Sequence, residues 1–177
     1  MKGKIIMDTK RKNELTEIAR EIRVGIIDAV HSAKSGHPGG SLSIADVLTY
    51  LYFEEMNIDP KNPKKPDRDR LVLSKGHCAP GLYSALAHRG YFPVEDLKTF
   101  RHTDSYLQGH PDMKHTPGVE MTSGSLGQGA STSCGMALAN KIDKTSVRIY
   151  TILGDGETEE GQVWEAAMFA AHYHLSN

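Results

Sequence analysis

Neither basic nor acidic side chains are in marked excess in this chain. Its 21 basic and 22 acidic side chains leave a formal net charge of −1, so the balance gives no pull toward nucleic acid or an anionic membrane. The most basic stretch, Lys61 to Arg70, is broken by Pro63, Pro66, Asp67 and Asp69 and reads as a solvated loop. Cysteine is scarce. Cys78 and Cys134 stand apart among small residues, without C-x-x-C spacing, which argues against a disulfide framework and for reduced thiols in the cytoplasm. No run approaches the ~18 apolar residues of a membrane span. The lysine-rich start, Met1 to Asn13, has no apolar stretch behind it and so does not read as a secretory signal. Internal repeats and low-complexity tracts are also lacking.

What is present suits one globular domain: 177 residues, 38% hydrophobic and 24% charged. Leu15, Ile18, Ile22, Ile26 and Ala29 recur at steps of three and four, which predicts a helix over Lys10 to Lys34, ended by Gly36 with Pro38 beyond. A second helix is expected to open near Ser41, with Ser43 as its cap and Asp46 at its positive end, and to run to about Met56. Arg70 to Ser74 and Val147 to Leu153 are apolar and read as strands. Helices are predicted over Pro80 to Arg89, Val94 to Phe100, Gln128 to Lys141 and Thr158 to His174. The last carries Val163, Ala166, Ala167, Ala170 and Ala171 on one side. Strands separated by helices indicate an α/β fold, a parallel sheet flanked by helices.

Chemistry concentrates where strands end. In open parallel sheets ligands bind beyond the carboxyl ends of the strands, and Gly154-Asp155-Gly156 follows the second strand directly. A carboxylate there suits Mg²⁺, a hard ion with a preference for oxygen that commonly bridges phosphates. The alternative is a plain strand-to-helix turn with Asp155 as its cap. Nine histidines are many for this length. His37, His77 and His110 each follow a glycine, and two of them precede proline, so their backbones belong in turns. The loop from Arg101 to Val119 is long and without periodicity, as functional loops often are. His102, His110 and His115 on that loop lack a nearby thiolate, which disfavours a structural zinc site. Trp164, Met168, Phe169 and Tyr173 on the last helix read as core or interface.

Gly154-Asp155-Gly156 resembles the opening of the thiamine diphosphate motif. Ser35-Gly36-His37-Pro38-Gly39-Gly40, Leu73-Ser74-Lys75-Gly76-His77-Cys78-Ala79-Pro80, and Pro117-Gly118-Val119-Glu120 through Gly124-Ser125-Leu126-Gly127-Gln128-Gly129 resemble transketolase segments, in family order. Pro38 separates the chain from the deoxyxylulose phosphate synthases, which usually carry leucine there. The resemblance covers residues 14–177 as a diphosphate-binding domain, with 1–13 as an N-terminal extension.

The resemblance implies a thiamine-diphosphate-binding fold and transfer of a two-carbon ketol unit from a ketose phosphate to an aldose phosphate. Dihydroxyacetone synthase chemistry, or a non-catalytic interaction module, are the alternatives. His37, His77 and His110 become catalytic; His77, Gly124, Ser125, Leu126, Asp155 and Gly156 contact the cofactor. Asp155 holds Mg²⁺ (or Ca²⁺ or Mn²⁺), and Glu160 faces its mate across a dimer interface. The motif's closing asparagine, the second metal ligand, is expected beyond Asn177. The fold is therefore expected to be incomplete at its C-terminus, and this chain alone inactive. The activating glutamate is expected in a pyrimidine-binding domain on a C-terminal transketolase subunit, giving a homo-oligomer or heterotetramer in the cytoplasm.

Overall fold

A computed structural model describes residues 7–177. Helix α1 (Thr9–Ala33) is capped by Asp8, whose carboxylate accepts the Arg11 N–H at 3.0 Å. Residues 9–13 are thus part of the helix, which starts one residue before the expected Lys10, and Arg11 ties them to Glu54 and to the Phe53 carbonyl; residues 1–6 lie outside the described residues. The expected apolar stripe is buried except at Ile18, which is half-buried while Ala19 is covered instead. Lys34, not Gly36, terminates the helix in the left-handed region with φ 52°. Gly36, two residues on with φ 143°, then turns the chain.

Segment 38–55 differs from the single helix expected. Pro38–Leu42 forms a short helix, α2, with proline at its start, and α3 (Ala45–Tyr50) follows, continued by a wider turn over Leu51–Glu55. Ser43 does not cap α3. Its hydroxyl donates back to the Gly40 carbonyl at 2.8 Å, and Ile44 takes the capping position. Two parallel strands follow, β1 (Arg70–Leu73) and β2 (Ile149–Ile152), in register from Arg70 opposite Ile149 to Leu73 opposite Ile152. Between them lie α4 (Ala79–Arg89), the 3₁₀ turn Val94–Thr99, the long loop, and α5 (Gln128–Ile142). The chain closes with a 3₁₀ turn, Gly156–Glu159, and α6 (Gly161–His172). The closing helix therefore starts three residues later than expected.

Alternation along the strands sorts the layers. Leu71, Leu73, Tyr150 and Ile152 join the main core with α1, α3 and α4, where Ile22, Ile26 and Leu48 are fully buried. Each such side chain contributes about 1.5–3 kcal/mol. Ile149, Thr151 and Leu153 face the other way, lining with α5 and α6 an apolar groove of about 270 Å³. The α6 stripe is only partly covered: Val163 and Ala166 are buried, whereas Ala167 and Ala171 are exposed. Trp164 and Met168, which read as core or interface, are 63% and 64% exposed. No helix among the described residues is long and apolar enough to cross a membrane.

Candidate active site

Both strands deliver their next residues to the same end of the sheet. After β1 come Ser74-Lys75-Gly76-His77, and after β2 come Leu153-Gly154-Asp155-Gly156. Of these, Lys75, His77, Leu153, Gly154, Asp155 and Gly156 border a cleft of about 690 Å³ shared with Gly39, Gly40, Ser43 and Leu126. The Asp155 carboxylate is exposed, lines this cleft and caps nothing: the turn that follows it has no side-chain cap bond. It makes no hydrogen bond or ion pair among the described residues. The plain capping alternative is therefore not what the structure contains.

Three anchors hold the surrounding loops. Ser123 Oγ donates to the Leu73 carbonyl at 2.6 Å, fixing the glycine-rich loop to the end of β1. Gly76 lies so close to that loop that a Cβ there would come within 2.8 Å of the Gly124 nitrogen. Arg68 and Arg70 grip Glu120 at 2.6 and 3.0 Å and tie the Pro117–Glu120 segment to the start of β1. The buried Tyr83 of α4 donates to the carbonyls of Gln108 and His110 at 3.0 and 2.9 Å, which pins the otherwise irregular loop beside His110.

The three glycine-tagged imidazoles converge. The His37 and His77 rings meet edge to face with centroids 5.1 Å apart. The His110 ring covers Gly124 so closely that a Cβ there would come within 3.2 Å of His110 Cδ2. His77 borders the Asp155 cleft, whereas His37 and His110 stand outside its lining. Ser125 is exposed at the turn before α5, and Glu160 is exposed at the start of α6. His102 and His115 are also exposed; His115 Nδ1 pairs with Asp112 at 2.5 Å. Among the described residues, no group of three metal-ligating side chains is preassembled.

Burial first, and the neighbouring His37 second, hold the His77 imidazole below the usual histidine range. The neutral form of His77, which can accept a proton, is therefore favoured over the charged one. An unfolded histidine binds its proton at higher pH than this folded one. The stability from keeping the ring neutral is thus complete above about pH 6.5 and declines as pH falls toward the depressed value. A proton-NMR titration of the His77 ring is expected to give a midpoint below about 6.5 that rises in His37→Ala; a midpoint at or above that value would contradict the assignment.

Two residues, one directly after the Gly154-Asp155-Gly156 motif and one within the Leu73 to Pro80 segment, were given no role from sequence. Glu157 is only 2% exposed. Its Oε1 accepts the Ser74 hydroxyl at 2.5 Å and the Gly127 N–H at 2.8 Å, and its Oε2 accepts the Gly154 N–H at 2.9 Å. One carboxyl group thus joins the ends of both strands to the glycine-rich loop. Lys75 is 7% exposed and also lines the cleft. A glutamate and a lysine next to glycine turns ordinarily read as solvent-facing; only the tertiary arrangement buries them.

Residues 15–177 match the family described as transketolase, thiamine diphosphate binding domain. The chain belongs to the transketolase family. It is 52% identical over 96% of its length to 6-deoxy-6-sulfo-D-fructose transketolase subunit SqwG of Clostridium sp. (strain MSTE9), and 45% identical over 93% to an apulose-4-phosphate transketolase subunit of Actinobacillus succinogenes. It spans 62% and 60% of those two proteins. The crystal structure of transketolase from Campylobacter jejuni superposes with a TM-score of 0.87 at 39% identity, over 97% of this chain and 28% of that one. The α/β thiamine-diphosphate-binding fold expected from the motifs is therefore shown, and the matched domain is the one named for that cofactor.

Proposed function

We propose that this chain forms the diphosphate-binding half of a transketolase whose pyrimidine-binding half is carried by a partner subunit. The reaction is transfer of a two-carbon ketol unit from a ketose phosphate to an aldose phosphate, in the pentose phosphate pathway of the cytoplasm. The observation that carries the reading is the unpaired Asp155 carboxylate, opening into the same cleft as His77 and Leu126 at the ends of both strands. Two relatives named as transketolase subunits support the division into two chains.

The residues present fit the cofactor. Asp155 offers a free oxygen donor for Mg²⁺, or for Ca²⁺ or Mn²⁺, and Gly39 and Gly156 have open space where a Cβ would stand, leaving their backbone accessible. When bound, thiamine diphosphate supplies the electron sink for breaking and remaking a carbon–carbon bond. The chain's own residues orient and handle protons. His77, its neutral form favoured, takes a proton near the reacting carbon; His37 and His110 hold and return protons at substrate hydroxyls. Gly124 and Ser125 offer backbone to the cofactor and Leu126 an apolar contact to its rings. Glu160 and the exposed apolar side chains of α6 face a second protomer, giving a homo-oligomer or heterotetramer.

A second donor class is favoured by the 52% identity to a sulfofructose transketolase subunit: a ketose carrying a sulfonate in place of the phosphate, since both are tetrahedral anions. The test is to copurify this chain with its pyrimidine-binding partner and supply thiamine diphosphate, Mg²⁺ and ribose 5-phosphate. Donors are fructose 6-phosphate and 6-deoxy-6-sulfo-fructose in parallel. Two-carbon transfer from one of them is expected; transfer from neither would contradict the reading.

A further inference from the structure

Among the described residues, Lys75 is the one lysine that lines the cleft, and no carboxylate answers its charge. Its stem lies against Gly154, where a Cβ would stand 3.4 Å from Lys75 Cδ. Its ammonium reaches the Gly40 carbonyl at 3.2 Å and Ser43 Oγ at 3.4 Å, both long and both neutral. No carboxylate pairs with it among the described residues. Other buried charged groups here are fully answered: Glu157 accepts three hydrogen bonds, and Asp69 accepts the backbone N–H groups of Asn57 and Arg148 at 2.9 and 2.8 Å. A nearly buried ammonium with only two long neutral contacts is costly unless an anion completes it. Ser43, Gly40, Lys75 and Asp155 border one cavity.

We infer that Lys75 is the cleft's resident cation for the diphosphate group, binding its oxygens directly while Asp155 serves the metal ion. This rests on the thiamine diphosphate reading and adds to it a residue that acts as a point charge on phosphate. Division of labour follows from sign: the carboxylate attracts the divalent ion and repels phosphate, and the ammonium does the reverse. The Ser43 hydroxyl and Gly40 carbonyl hold the ammonium toward the cavity before the anion arrives.

The test is thermal unfolding of the chain with millimolar inorganic pyrophosphate and Mg²⁺, for the wild type, Lys75→Met and Lys75→Gln. The wild type is expected to melt at higher temperature as pyrophosphate is added. Both variants should need about 10-fold to 100-fold more pyrophosphate for the same rise. Without anion, Lys75→Met should melt at the wild-type temperature or above, because an unpaired buried charge has been removed. Equal pyrophosphate dependence in the variants would overturn the assignment and leave the cofactor reading standing. So would both variants melting well below wild type without anion, which would make Lys75 a structural residue. A wild type indifferent to pyrophosphate overturns it too; if the complex with the partner subunit is also indifferent to thiamine diphosphate, the cofactor reading falls with it.

Discussion

Asp155→Ala is expected to lower Mg²⁺-dependent thiamine diphosphate affinity by about 100-fold or more in the assembled enzyme. Altering groups that merely orient a metal's ligands already costs about 10- to 100-fold, and Asp155 is proposed as a ligand itself. The fold should be indifferent to the change. The Asp155 side chain is exposed and unpaired among the described residues, and such surface substitutions usually stay within about 0.5 kcal/mol. His102→Ala is the control. That side chain is also exposed, on the loop beside the site, but lies outside the cleft lining. Isothermal titration of the complex with and without Mg²⁺ separates the cases. Equal losses in the two variants, or no loss in Asp155→Ala, would show that the carboxylate has been assigned the wrong task.

Glu157→Ala should behave oppositely, with a large loss of stability. The substitution removes the acceptor of the Ser74 hydroxyl and of the Gly127 and Gly154 N–H groups, all within a buried region. Each buried donor left without a partner costs about 1–3 kcal/mol, so a destabilisation of about 3–5 kcal/mol is expected once partial rehydration is allowed for. Glu157→Gln should lose less, because one oxygen acceptor survives while the amide meets an N–H group that also donates. Urea unfolding measures both. A loss under about 0.5 kcal/mol for the alanine variant would mean that the three bonds are dispensable. The two carboxylates two positions apart thus have separable roles: Glu157 builds the cleft, and Asp155 offers its oxygens to the ligand.

Much of the fold was legible because it follows local rules. The α1 stripe, the end of α4 just before Gly90 and the strand before Gly154 are set by residues near one another in sequence. Helix α2 was missed although Pro38 stands where proline favours a helix start; the same proline just after Gly36 also reads as a helix stop. Ser43 illustrates competition between local bonds. A serine suited to cap α3 donates instead to Gly40, in the preceding turn. The closing stripe on α6 named the apolar side of the helix correctly but could not say how much of it this chain would cover. Val163 and Ala166 are buried, whereas Ala167 and Ala171 remain exposed.

The candidate site was legible to a different depth. The glycine-flanked histidines and Gly154-Asp155-Gly156 announce themselves through turn chemistry and strand position. The roles of Glu157 and Lys75 do not. Glu157 meets Ser74 across 83 positions of sequence, and nothing local to either residue signals the contact. Lys75 reads as an ordinary surface lysine until α2 and Gly154 close around its stem. Burial of an ionisable group is a property of the assembled layers, so periodicity cannot reveal it.

The most direct measurement is a crystal structure of the assembled enzyme with Mn²⁺ and thiamine diphosphate, using the anomalous signal of the metal. One peak is expected about 2.1 Å from an Asp155 carboxylate oxygen, with the diphosphate between that peak and the Lys75 ammonium. A metal peak away from Asp155, or a cofactor seated outside the cleft at the ends of β1 and β2, would contradict that expectation.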